Sequence, residues 1–263
     1  MAEYIMNRDF TIDIYTELLR GLRHQGYEFQ TFRDYLKNPL EKVVILRHDV
    51  DSWPVNALQM ARTEARFRVK ATYYFRRSPL SFDERVLKGI MELWHEIGYH
   101  YEDLAACNGD FDKAVKRFEK NLQFYRLYYP IQTIAMHGRP LSKWDSKDMW
   151  KKYDYRNFGL IGEPYLDLDF DTMMYLTDTG NCWDGDKYSV RDHVRSPYSF
   201  PIHSTYDLIN HIERGVLPDQ IMLNIHPARW NDNFIKWWIR YYILTLPKFQ
   251  AKRILKQIRN KEK

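Results

Sequence analysis

Apolar residues recur with two different periods along the chain. At three- and four-residue spacing, Phe10, Ile14, Leu18, Leu19 and Leu22 predict a helix over residues 10–24, and Gly26 follows as a stop. Val43-Val44-Ile45-Leu46 is a short, continuously apolar run of the kind buried in a parallel sheet. Helical spacing returns over 54–68, with Pro54 near the start, where a missing N–H costs nothing. Residues 71–75 read as a second strand, 83–96 as a helix, 97–100 as a third strand and 111–128 as a long helix closed by Pro130. Residues 132–136 form a fourth strand, and 157–161, 173–177, 200–203 and 221–225 are later candidates. Helical segments follow at 205–215 and 233–263. The alternation Leu166-Asp-Leu-Asp-Phe-Asp171 reads as a half-exposed strand with a solvated acidic face, and no turn glycine makes it a calcium loop.

Repeated strand–helix units imply parallel pairing with right-handed crossovers. Seven or eight such units without a Gly-x-Gly-x-x-Gly fingerprint favour a closed barrel over an open dinucleotide-binding sheet. The expected fold is an irregular, TIM-like (β/α)7 barrel over 1–230, with a helical extension over 231–263.

Composition narrows the function classes. With 263 residues, 44% apolar and 29% charged, the chain can build its own core. Its two cysteines give neither a disulfide framework nor a metal-finger spacing. Aromatics reach 16%, a surplus that sugar-stacking surfaces use and that AT-rich coding also produces. The net charge of +5 sits largely in the tail, where Lys248, Lys252, Arg253, Lys256, Arg259, Lys261 and Lys263 face one Glu262. A nearly neutral body argues against nucleic acid as a partner. MAEYIMNRDF has no apolar leader region, and no stretch predicts a spanning helix. The expectation is a cytoplasmic protein.

Four strand ends carry unusual residues. The first strand runs into Arg47-His48-Asp49-Val50-Asp51, where Asp49 and Asp51 share one side of an extended backbone. The third ends at His100, two before Glu102; the fourth ends at His137-Gly-Arg-Pro140; the last ends at His226-Pro-Ala-Arg-Trp230. A single such histidine or aspartate is ordinarily a hydrogen-bonding or capping residue. Their recurrence projects several onto one barrel rim, where Asp/His sets with few cysteines suit a divalent ion, zinc foremost. Such a site equips the chain to hydrolyse an amide or ester. No Gly-x-Ser-x-Gly elbow competes with it.

The Arg-His-Asp-Val-Asp run, Glu-Ile-Gly-Tyr-His-Tyr-Glu (96–102), His-Gly-Arg-Pro (137–140) and Leu-Asn-Ile-His-Pro (223–227) resemble a divergent branch of the polysaccharide deacetylases, the carbohydrate esterase family 4 superfamily. Residues 18–35 and the stretches Tyr175–Gly180 and Tyr188–Asp192 resemble it too. The resemblance covers roughly 15–230 and implies metal-dependent deacylation of an amino sugar in surface-polysaccharide synthesis, such as lipopolysaccharide O-antigen or capsule. It implies Asp49 as base and His226 as general acid. Asp51 and His100 become metal ligands, and Glu102 a substitute third, because Leu104 stands where the family has its second histidine. A second register places His48 on the base and Asp49 on the metal. His137, Arg139, Trp144 and Trp230 are expected around the sugar, with core or rim packing as the other reading of the two tryptophans. A catalytically inactive glycan-binding or scaffold protein on the same barrel is the competing expectation.

Trp237–Leu246 is aromatic and apolar, and the basic tail follows. Three readings stand: a last barrel helix with a solvated tail, a segment lying at the inner face of a membrane, near a lipid-linked substrate, or, more weakly, a basic tail contacting nucleic acid.

Overall fold

The computed structural model describes residues 8–139, 142–184, 194–240 and 243. In chain order its elements are α1 (Ile12–His24), β1 (Glu28–Gln30), α2 (Phe32–Lys37), β2 (Val43–Val50), α3 (Pro54–Arg66), β3 (Thr72–Phe75), α4 (Glu84–Glu92), β4 (Glu96–Tyr101), α5 (Asp103–Ala106), α6 (Phe111–Arg126), β5 (Ile134–Met136), α7 (Pro164–Asp167), β6 (Met174–Thr177), α8 (Thr205–Glu213), β7 (Gln220–Ile225) and α9 (Phe234–Trp238). The alternation of strand and helix forces every observed strand pair to be parallel. The hydrogen-bonded path is β5-β4-β3-β2-β7-β6. β2 is the hub. Its eight residues are long enough for β1 to pair with Val43–Ile45 and β3 with Arg47–Val50. β7 takes the opposite edge.

The fold is an α/β parallel sheet of the (β/α)-barrel kind, open at one seam. Among the described residues β5 and β6 do not pair with each other. The sheet reaches only as far as a single bridge from Thr133 to Gly162 on that side. The seam is packed by the segment after β5. Leu168 and Phe170 from it rest on the interior cluster of Ile45, Tyr74, Ala135, Met173, Tyr175 and Met222.

Period-two alternation sorts each strand between two cores. On the helix side Val44, Leu46, Val50, Tyr73, Tyr99 and Leu223 join the large cluster under α1, α3 and α6. On the barrel side of β2 stand Ile45, Arg47 and Asp49. Gly98 shows how tightly the interior is filled: a Cβ there would lie 2.3 Å from the Tyr74 ring and 2.9 Å from the Thr133 carbonyl oxygen. Only glycine lets the Tyr74 ring cross β4.

Three expected strands are absent. Residues 157–161 start at the end of a 3-10 turn, Tyr155–Phe158, begun by the Asp154 cap and ended by Gly159 at φ 70°, and continue without regular structure. Residues 166–171 follow the short α7, where Pro164 opens the helix and Glu163 caps it. Its Asp167 is held by the Tyr155 hydroxyl and the Glu163 N–H. The alternation of Leu168 and Phe170 reports one-sided burial, which a coil crossing a seam produces as well as a strand. Residues 200–203 form no strand either, but a connection into the Ser204–Asp207 capping box of α8. The extension begins with α9, where the Trp237 indole donates to the Asp9 carbonyl oxygen at 2.8 Å. The basic residues from Lys248 onward, and Tyr188–Asp192, lie outside the described residues.

Candidate metal centre

Every candidate group sits at the C-terminal end of a strand or just beyond it, the end where barrel loops gather. Arg47 and Asp49 leave β2 on its interior face. The Arg47 guanidinium clamps both oxygens of the Asp49 carboxylate, Nε to Oδ1 at 2.9 Å and Nη2 to Oδ2 at 2.8 Å. Both side chains are buried. The planar fork and the carboxylate match bidentately, so Asp49 is fixed in orientation. The Arg47 guanidinium also lies over the Tyr165 ring, 4.8 Å from its centroid, and its Nη1 has no hydrogen-bond partner. Asp51 follows one step past β2, in a turn held by the Ser81 hydroxyl on the Val50 carbonyl oxygen.

Three ligand-type atoms, one each from Asp51, His100 and His137, lie within 4.8 Å of one another. Asp51 Oδ1 is 3.3 Å from His137 Nε2 and 3.7 Å from His100 Nε2. The tautomers follow from the other ring nitrogens. His100 Nδ1 faces the Ala135 carbonyl oxygen at 2.9 Å, which can only accept, so that nitrogen carries the proton. His137 Nδ1 faces the Glu102 carboxylate at 2.9 Å, with the same consequence. In the neutral rings both Nε2 atoms then present lone pairs toward Asp51 Oδ1, a buried oxygen with no hydrogen-bond partner. Three lone pairs converging on one point suit a bound cation. An oxygen and two imidazole nitrogens fit a zinc-type ion with open coordination positions.

The electrostatics agree. Burial pushes His100 down to about 4, so it is neutral at neutral pH and its nitrogen is free to ligate. Burial works to raise Asp51, but the positive charges that His137, His100 and His226 carry when protonated at low pH outweigh it and hold the carboxyl below the usual carboxylate range. Partial burial works to raise Glu102 too, and His137 with Arg76 overcomes that cost, holding it at about 2. Arg76 Nη2 is 3.1 Å from both Glu102 oxygens.

At the end of β6, Asp178 organises the opposite wall. It accepts from His226 Nδ1 at 2.6 Å, from the His226 backbone N–H at 2.9 Å and from Trp230 Nε1 at 2.9 Å. The Arg229 guanidinium completes the shell. Burial raises Asp178, and Arg229 and His226 outweigh it, leaving it lowered. His226 Nδ1 is thereby the proton-bearing nitrogen held by the carboxylate. Nε2 is left for proton exchange, in an imidazole oriented as a general acid requires.

The structure thus brings Asp49, Asp51, His100, His137, Glu102 and His226 to one rim, with some positions different from those expected. Glu102 points to His137 and Arg76, and His137 takes the third place beside Asp51 and His100. A carboxylate behind a ligating histidine orients the ring and raises its basicity. Arg139, largely exposed, stands with Nε 3.8 Å from Glu102. Trp144 packs over Gly109 in the turn between α5 and α6. Trp230 is fully buried against Phe10, Tyr15 and Trp183, so no face of it is open to a sugar. The second register fails on direction: His48 points through the sheet to the helix side, 2.7 Å from Glu64 in a pocket shared with Tyr15 and Tyr73. Leu104 is core. The sequence reading gave no role to Asp178, although it follows an apolar strand as His100, His137 and His226 do. It likewise overlooked Arg47, whose signal was its position two residues before Asp49.

No protein-family model matches the chain, and no curated protein matches it. Among solved structures it is similar to a mutant of a CE4 family pseudoenzyme, at 12% identity and a TM-score of 0.43, covering 82% of this chain and 64% of that one. A mutant of the pseudoenzyme with restored enzymatic activity matches at 11% and 0.42, covering 82% and 65%. A Streptococcus mutans CE4 esterase matches at 15% and 0.42, covering 89% and 90%. The chain therefore spans just under two thirds of the pseudoenzyme structures. Likeness at this level leaves the function to be read from the geometry of the rim.

Proposed function

We propose that the chain is a metal-dependent hydrolase that removes an acyl group from an amino sugar. The observation that carries this reading is the convergence of Asp51, His100 and His137 on one donor-free point. A bound divalent ion, for which zinc suits the donor set, supplies Lewis-acid polarisation and an acidified water. Asp49 stands beside that point, with Oδ2 3.5 Å from His100 Nε2. Clamped by Arg47, it still offers a lone pair on each oxygen and takes the proton of the attacking water. His226, held by Asp178, gives a proton to the departing amine nitrogen. Exposed Arg139 is placed to meet the substrate. The amino-sugar substrate and the setting in O-antigen or capsule synthesis rest on the motif resemblance.

The test is elemental analysis of the purified chain with an acetate-release assay on acetylated amino-sugar oligomers. About one equivalent of metal, lost in His137→Ala and kept in Cys182→Ser, is expected. The serine control matters because Cys182, Asp184 and His203 form a second set of ligand-type groups. Metal bound at the rim without acetate release from any acylated sugar would leave the inactive glycan-binding protein as the correct reading.

A further inference from the structure

The segment after β7 carries an exposed apolar stripe beside the candidate site. Phe234 and Trp238 form one row at four-residue spacing, Ile235 and Ile239 form the adjacent row, and Ile243 follows four residues further along the sequence. All five are exposed, Ile235 at 67% and Trp238 at 43%. Large apolar groups gathered on one helix face mark an interaction surface rather than ordinary scatter. Helical winding continues through Arg240, whose guanidinium lies 5.6 Å from the Trp53 ring centroid. Trp53 follows Asp51 by two residues, and Arg240 feels the charges of Asp51 and Asp178. The stripe is therefore mounted at the mouth of the rim. It leads in sequence to the strongly basic run from Lys248 to Lys263, which contrasts with a nearly neutral remainder.

We propose that this face docks the protein on an anionic lipid bilayer, with the mouth of the site turned to the membrane surface. The charge pattern selects the occupant. An apolar stripe of isoleucine and aromatic residues enters the headgroup boundary, while a lysine- and arginine-rich continuation is attracted to anionic headgroups. A second copy of the chain would bring like-charged tails together. Among the described residues no helix is long and apolar enough to cross a membrane, so the geometry is that of a segment lying on the surface. Docking stands on these observations alone. On the hydrolase reading of the preceding section, it further makes the substrate a lipid-linked glycan, presented at the headgroup plane.

The test is flotation of the full chain with vesicles of phosphatidylcholine alone or containing phosphatidylglycerol. Partitioning onto the anionic vesicles should exceed that onto the neutral ones by about tenfold or more at low salt and fall at high salt. Ile235→Glu combined with Trp238→Glu, both exposed positions, should reduce it by about tenfold or more while far-UV circular dichroism and metal content stay unchanged. Removing residues 248–263 should reduce it comparably. A chain that stays in the soluble fraction with anionic vesicles overturns the proposal. So does undiminished partitioning of the double variant, or a dimer in sedimentation velocity that the double variant abolishes. Acetate release from a soluble oligomer is the separate readout. Its loss with docking intact removes the hydrolase reading, and its presence without docking removes the membrane.

Discussion

The assignment of His137, rather than Glu102, to the third ligand position can be tested by the order of effects in a short mutational series. Glu102 Oε2 meets His137 Nδ1 at 2.9 Å, a charge-assisted contact worth about 1.5–3 kcal/mol. Truncating it in Glu102→Ala frees the ring to rotate and removes its basic partner. At about 1.4 kcal/mol per factor of ten, zinc affinity should fall about 10- to 100-fold. Removing a ligand costs more. A four-ligand zinc site releases about 10–16 kcal/mol, or about 2.5–4 kcal/mol per ligand, so His137→Ala should lose about 60- to 1000-fold. Glu102→Gln is the milder case: an amide oxygen can keep accepting from His137 while the amide nitrogen faces Arg76, and about tenfold or less is expected. The assay is competition for zinc against a chromophoric chelator at neutral pH, with circular dichroism to confirm folding. The reasoning fails if Glu102→Ala loses as much affinity as His137→Ala, since Glu102 would then be the ligand.

Other consequences follow from the same contacts. Asp178→Asn must turn its amide oxygen to the two N–H groups on the Oδ2 side, which leaves its amide nitrogen against His226 Nδ1; turnover should fall about 30- to 1000-fold with metal content intact, and an unchanged kcat would remove His226 from the chemistry. Gly98→Ala drives a methyl group into the Tyr74 ring and should cost about 1–3 kcal/mol; urea unfolding reads the loss, and an unchanged midpoint would show that the barrel interior yields there. Burial pushes Glu163 from 4.5 up to about 7, against the pull of Arg47, so the native chain holds a proton there that the unfolded chain has released. Stability should fall as pH rises from about 4.5 to about 7 by up to about 3 kcal/mol, and Glu163→Gln should flatten that slope even though it disturbs the N–H of Met136 or Tyr165; an equally steep slope in the variant would locate the titration elsewhere.

Much of the sheet could be read from the chain because strands buried on both faces must be apolar throughout. Residues 43–46, 71–75, 97–100 and 221–225 announce themselves in this way, and all belong to observed strands or abut them. The rim was legible for a related reason: Asp49, Asp51, His100, His137 and His226 are polar residues placed where such runs end, and parallel strands deliver their ends to one side. Where burial was one-sided, as at Leu168 and Phe170, the pattern could not distinguish a paired strand from a coil lying across an open seam.

Sequence spacing by itself determined the parallel α/β architecture and marked Asp49, Asp51, His100, His137 and His226 as strand-end groups, since both depend on periods within single elements, while Arg47 and Asp178 escaped it. Their division of labour was decided in three dimensions. The Glu102 carboxylate, itself held by Arg76 from the loop after β3, and the Ala135 carbonyl, from β5, settle which ring nitrogens keep their protons, and hence that His137 rather than Glu102 turns a lone pair toward Asp51. Trp230, readable from sequence as sugar platform or as core, is core, because Asp178, fifty-two residues earlier, captures its indole N–H. The physical reason is that a side chain's direction follows from its own strand, whereas its partner, tautomer and exposure are fixed by register and packing between strands distant in sequence.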